Sequence, residues 1–192
     1  LKGCQGKGLG KIIAGKSIVG QFFESAVLTA GKDVQATYLL NCQLKANGKL
    51  LVEGRKGVII GGKTCAKLGI SCNGIGNIAE IATVVSVGID KEDITAYQEL
   101  QKKIEQTQAE LQTCENGLNK LMANPVHDEK VSMMIQRLTR AVYTLKSSRK
   151  ELFSERNAQM EQMTKQKEAR IQVSGRAYPG TLLFLNEDPF AI

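Results

Sequence analysis

The eight residues GVIIGGKT, Gly57 to Thr64, satisfy the phosphate-loop pattern G-x-x-x-x-G-K-T letter for letter, and the fold turns on how they are read. In a nucleotide-binding loop the glycines free backbone N–H groups to cradle phosphates. The lysine reaches the β- and γ-phosphates and the threonine hydroxyl holds Mg²⁺. That chemistry needs a strand running into the first glycine and a helix starting at the last residues. Neither flank provides them. Glu53, Gly54, Arg55 and Lys56 separate Leu50-Leu51-Val52 from Gly57, and Gly69, Gly74 and Gly76 follow too densely for a helix. Val58-Ile59-Ile60, inside the pattern, are β-formers. The run VVSVGID, ending at Asp90, gives weak support for a metal-binding carboxylate, because Ser86 and Gly88 interrupt it.

Repetition explains the segment better. Gly-Lys recurs at Gly15-Lys16, Gly31-Lys32, Gly48-Lys49 and Gly62-Lys63, with successive glycines 16, 17 and 14 residues apart. Each copy joins a short apolar run to another. Strands at that interval leave no room for the helical crossovers of βαβ units. They predict a parallel β-solenoid in which each coil stacks on the one before and buries an apolar face that a lone coil cannot. Glycines at the corners would supply φ > 0. Coils in register would stack Lys16, Lys32, Lys49 and Lys63 along one edge at roughly 4.8 Å. With the Arg55-Lys56 corner, that edge is the candidate interaction surface.

The charge distribution agrees. The chain carries a net +7, and residues 1–90 hold eleven Lys/Arg against five Asp/Glu, while the remainder is nearly balanced. A solvated edge is the simpler account of the lysines, an acidic or polyanionic partner the functional one. Aromatics that could stack on bases are limited in this part to Phe22, Phe23 and Tyr38, which argues against nucleic acid. Five cysteines and the single His127 match no zinc spacing, so packed, reduced thiols are expected, with no metal and no cofactor. No signal peptide or membrane-spanning run is visible. The chain opens at Leu1 without an initiator methionine, which points to a piece of a longer protein.

After Asp90 the texture changes. Tyr97, Leu100, Ile104, Thr107, Leu111, Cys114, Leu118 and Leu121 alternate steps of three and four, a heptad seam. Asp90 or Asp93 is placed to cap this helix. Asn124-Pro125 ends it, and Asp128 is placed to cap a second. Val131, Ile135, Leu138, Val142, Leu145 and Leu152 continue the spacing, with Arg149 breaking the apolar seam and a looser pattern through Met160 and Met163. The reading is an antiparallel coiled-coil hairpin over 91–170, roughly 45 Å or more in length. It is inserted between β-helix coils at 1–90 and final strands at 171–192. Its outer face and its tip, Asn124 to Glu129, are further candidate surfaces.

The order AGKSIVGQFFESAVLTAGKDVQA, EGRKGVIIGGKTCAK, NGIGNIAEIATVVSVGI, a coiled-coil hairpin and IQVSGRAYPGTLLFL resembles the bacterial flagellar assembly protein A family over essentially the whole chain. The most specific part is Lys56, Gly57, Gly61 and Gly62 followed by the hairpin. The resemblance implies a right-handed parallel β-helix carrying a coiled coil and preceded by a separate N-terminal domain. It also implies a non-enzymatic cytoplasmic scaffold for flagellar assembly and motility, acting at the cell pole through protein partners and responding to a sugar phosphotransferase component. Polymer-forming β-helix cytoskeletal proteins and the β-helical domain of the septum-site inhibitor are similar in architecture, so fold alone does not choose among these roles.

Three function classes therefore stand: an interaction scaffold, a polymer-forming cytoskeletal protein with contacts through the hairpin or the β-helix ends, and a polyanion binder using the basic edge. Solenoid acyltransferases use hexapeptide repeats and a histidine base. The period here is not six, and the one histidine falls in the hairpin turn.

Overall fold

The structure, a computed structural model, describes residues 2–123, 128–186 and 188–191. The chain is a parallel β-solenoid with a helical insertion. Its strands before the helices are β1 (Gly3–Ala14), β2 (Ile18–Val19), β3 (Phe22–Ala30), β4 (Val34–Ala36), β5 (Tyr38–Ala46), β6 (Leu50–Val52), β7 (Val58–Ala66), β8 (Ile70–Ile75) and β9 (Thr83–Val87). After the helices come β10 (Ile171–Ala177), β11 (Thr181–Leu185) and β12 (Asp188–Ala191).

Each coil contributes to three parallel ladders, and within each ladder like residues stack on like. Cys4, Phe23, Leu39, Ile59 and Ile75 form one inward column. Ile12, Leu28, Leu44, Thr64 and Val85 form another, beside Ala14, Ala30, Ala46, Ala66 and Val87. Ile18, Val34, Leu50, Ile70 and Ile171 line the third ladder. Alternation at period two turns these side chains inward, and together they make the buried core. Full burial of each large aliphatic or aromatic group is worth about 1.5–3 kcal/mol, which the next coil makes available.

β3, β5 and β7 each serve two ladders by bending at one left-handed residue: Ser25 (φ 48), Asn41 (φ 49) and Gly61 (φ 69). β1 makes the same corner with a longer bulge, its register breaking between Gln5 and Gly10 and leaving Leu9 exposed. At the other end β12 turns back antiparallel against β11.

The repeat differs from the sequence expectation in its phase. The column Ala14, Ala30, Ala46, Ala66 and Val87 sets coil spacings of 16, 16, 20 and 21 residues. One residue, Thr37, joins β4 to β5, but five, Glu53 to Gly57, join β6 to β7. The longer corner shifts every later Gly-Lys out of phase. Nor do Gly15, Gly31 and Gly48 adopt positive φ. What Gly31 and Gly48 supply is room, because a Cβ on Gly31 would strike the Gly15 carbonyl and one on Gly48 the Asp33 carboxylate.

Between the second and third ladders every early coil uses a three-residue turn: 15–17, 31–33, 47–49 and 67–69. In the fifth coil that turn holds both helices. The chain leaves after Val87 and rejoins at Ile171, and the amide of Ile70 donates to the Arg170 carbonyl at 2.9 Å as Leu50 donates to Gly69 and Val34 to Lys49. Two compact units result: residues 1–91 with 163–192, and 92–162.

The helices are α1 (Lys91–Met122) and α2 (Glu129–Lys167). Their antiparallel packing is fixed by Lys146 on Glu115 at 2.8 Å, Arg149 Nη1 donating to Gln108 Oε1 at 2.7 Å, and Gln159 Nε2 donating to the Asp93 carbonyl at 3.4 Å. Asp90 immediately precedes α1, and Asp128 caps α2 by accepting the Val131 amide at 2.8 Å.

Candidate interaction surfaces

The four repeat lysines do not share a column. Lys16 and Lys32 occupy the same turn in successive coils, the Lys32 amide donating to the Lys16 carbonyl at 3.2 Å. Gly48 takes the next place, donating to the Lys32 carbonyl, so Lys49 falls one residue further on and gives its amide to Asp33 Oδ1 at 2.8 Å. Lys63 lies mid-strand in β7, paired with Gln43 and Val84 on a different face. The continuous basic edge expected from the spacing is thereby replaced by two stacked lysines and two separate ones. The cause is the long Glu53–Gly57 corner.

The same register disposes of the phosphate loop. Val58–Ala66 is strand throughout, with Lys63 exposed and Thr64 1% exposed in the core column. A threonine facing the core cannot offer its hydroxyl to a metal-bound phosphate. Lys63 and Cys65 instead border a shallow hollow of about 350 Å³ with Val84, Leu182, Phe184 and Asp90. Asp90 is held by Lys45 at 3.4 Å and Lys67 at 3.7 Å. Among the described residues no group of three or more His, Cys, Asp or Glu could hold a metal ion. The thiols of Cys42 and Cys72 face the core, and burial pushes both upward, Cys72 from 9.0 to about 11. Backbone hydrogen bonds only partly offset that effect.

The Arg55-Lys56 corner is exposed, and Lys56 Nζ sits 5.2 Å from the centre of the Tyr38 ring. Tyr38 pairs in register with Phe22, so two aromatics stack on the outside of the coils beside a cation. Sequence reading had counted these aromatics without placing them, since their neighbourhood is created by coil pairing.

In the hairpin, Leu100, Ile104, Leu111 and Val142 are buried, while Tyr97, Leu118, Leu121, Val131, Ile135, Leu138, Leu145 and Leu152 are half-buried. Arg149 does not interrupt the seam. Its guanidinium bonds Gln108 across the interface, and Arg156, stacked 4.7 Å from the Phe153 ring, occupies the next position. Met163 continues the row, whereas Met160 is exposed. Asn124 to His127, most of the expected tip surface, lie outside the described residues.

One face was not singled out from the sequence. Met122, Met133 and Met134 are 62%, 50% and 55% exposed, and Met133 and Met134 line a groove with Lys130, Arg137, Leu138 and Ala141. Residues 129–150 carry Lys130, Arg137, Arg140, Lys146, Arg149 and Lys150 against Glu129 alone. That charge block was present in the letters, but counting by domain averaged it with the acidic α1.

The sequence profile of the flagellar assembly protein A β-solenoid domain matches residues 1–191. The chain belongs to the flagellar assembly protein A family. The match spans the coils, the hairpin and the closing strands of this flagellar assembly protein A domain together. No curated protein and no solved structure matches the chain. No helix among the described residues is long and apolar enough to cross a membrane.

Proposed function

We propose that this domain is a non-enzymatic scaffold in bacterial flagellar assembly that works through protein–protein contacts, with the helical hairpin as its recognition element. The observation that carries the reading is the 88–170 insertion at a turn which every earlier coil completes in three residues. The coils do not need it to close, and it displays exposed methionines beside a basic block. Flexible, polarizable methionines are overused at protein-binding surfaces. Family membership supplies the flagellar context. A cytoplasmic, polar location and a sugar phosphotransferase component among the partners belong to this proposal.

The polymer reading is less well supported, because β12 runs antiparallel to β11 and gives that end no parallel edge for a next copy to continue. The polyanion reading loses its column of four lysines.

Complementation tests the scaffold role. In a flagellated host deleted for the gene, full-length protein carrying Lys63→Ala, Cys65→Ser and Asp90→Asn together should restore normal flagellar numbers. A version with residues 92–162 replaced by a glycine-serine loop should not. Loss of flagella with the triple variant and rescue by the loop version would overturn the proposal.

A further inference from the structure

We propose that the tip-side half of α2 docks an acidic amphipathic helix of a partner protein, in the groove centred on Met133 and Met134. This rests on the reading of the hairpin as a protein-recognition element and names what it recognises.

Three observations converge there. First, the seam is buried unevenly. Leu100, Ile104 and Leu111 are covered, but Leu118, Leu121, Val131, Ile135 and Leu138 are only half-buried, so two helices do not finish the apolar core at that end. Second, Met133 and Met134 lie alongside that open seam and share a groove with Leu138. Third, the groove is flanked by Lys130 and Arg137.

The chemistry selects the occupant. A helix surface has no free backbone groups, so an extended peptide gains no ladder hydrogen bonds here. An amphipathic helix matches the groove with apolar residues at i, i+3, i+4 and i+7. Basic flanks call for Glu or Asp beside those anchors. A second copy fits poorly: its own α2 brings the same positive block, and the large exposed apolar groups of α1 are only Ile94 and Met122. Nucleic acid would leave the methionines at the groove centre without a role.

Fluorescence anisotropy on the whole 192-residue chain tests this. The probe is a labelled peptide of three heptads, about 21 residues, with Leu at the first and fourth positions and Glu at the flanking ones, beside a twin with Lys in place of Glu. The Glu peptide should bind, more weakly at about 500 mM than at about 50 mM salt, and the Lys twin should not. Met133→Ser with Met134→Ser should weaken binding at least about tenfold. Lys130→Glu with Arg137→Glu should abolish it and transfer binding to the Lys twin, a swap that misfolding could not produce. Unchanged helicity by circular dichroism confirms that each variant is folded.

Absent binding, equal binding of both peptides, or indifference to both variant pairs overturns the proposal. So does an RNA duplex that binds this face irrespective of the methionines. If the peptides fail while replacement of residues 92–162 still abolishes flagellation, this inference falls and the scaffold function stands.

Discussion

The amide of Ile70 donates to the carbonyl of Arg170 at 2.9 Å, joining residues a hundred positions apart by the bond that Leu50 makes to Gly69 one coil earlier. The coil therefore closes across the hairpin as it closes across a three-residue turn. Replacing residues 92–162 by a short glycine-serine loop should leave a cooperative thermal transition within about 5 °C of the intact protein's. A molten or aggregated product would show that the helices are required for the coils to stack.

The solenoid and the hairpin were legible because each obeys a local period, two along Val34-Gln35-Ala36 and three-four along Leu100, Ile104 and Leu111. Coil phase was not. Gly-Lys looks like a register mark in the letters, but register is fixed by pairing columns such as Ala14 to Ala66, and the length of the Glu53–Gly57 corner cannot be deduced from a motif count. The groove at Met133 depends on which faces of two helices stay uncovered, and heptad spacing alone does not report that.

Strand placement of the GVIIGGKT segment separates two neighbouring residues energetically. Ile59 is fully buried, and Ile59→Ala should cost about 2–5 kcal/mol in urea unfolding. Lys63 is exposed, and Lys63→Ala should stay within about 0.5 kcal/mol. ATP with Mg²⁺ should shift the melting temperature of neither the parent nor Lys63→Ala. A nucleotide-dependent shift abolished by Lys63→Ala would restore the phosphate loop.

Two glycines of the repeat should behave oppositely. Gly62 has φ 76 and abuts the Cys42 backbone, so Gly62→Ala is expected to destabilise by about 2 kcal/mol or more. Gly15 has ordinary φ and open space around its Cα, so Gly15→Ala should be neutral or slightly stabilising. Equal effects in chemical denaturation would contradict the assigned phase.

The core thiols set a pH dependence. Cys72 is raised from 9.0 to about 11 in the folded chain, so the folded state holds its proton where the unfolded state has lost it. Stability contributed by this group is present below pH 9 and lost as pH rises through about 11. Cys72→Ala should flatten that decline. Native labelling with iodoacetamide should spare Cys42 and Cys72 and modify Cys65 faster.

Recognition by the hairpin is tested most directly by quantitative affinity capture from the cytoplasm of a flagellated cell. Intact protein would be compared with the form lacking residues 92–162, both verified as folded. Flagellar or polar proteins enriched by the intact form and lost with the shortened one are the expected result. An identical set captured by both would place recognition on the coils instead.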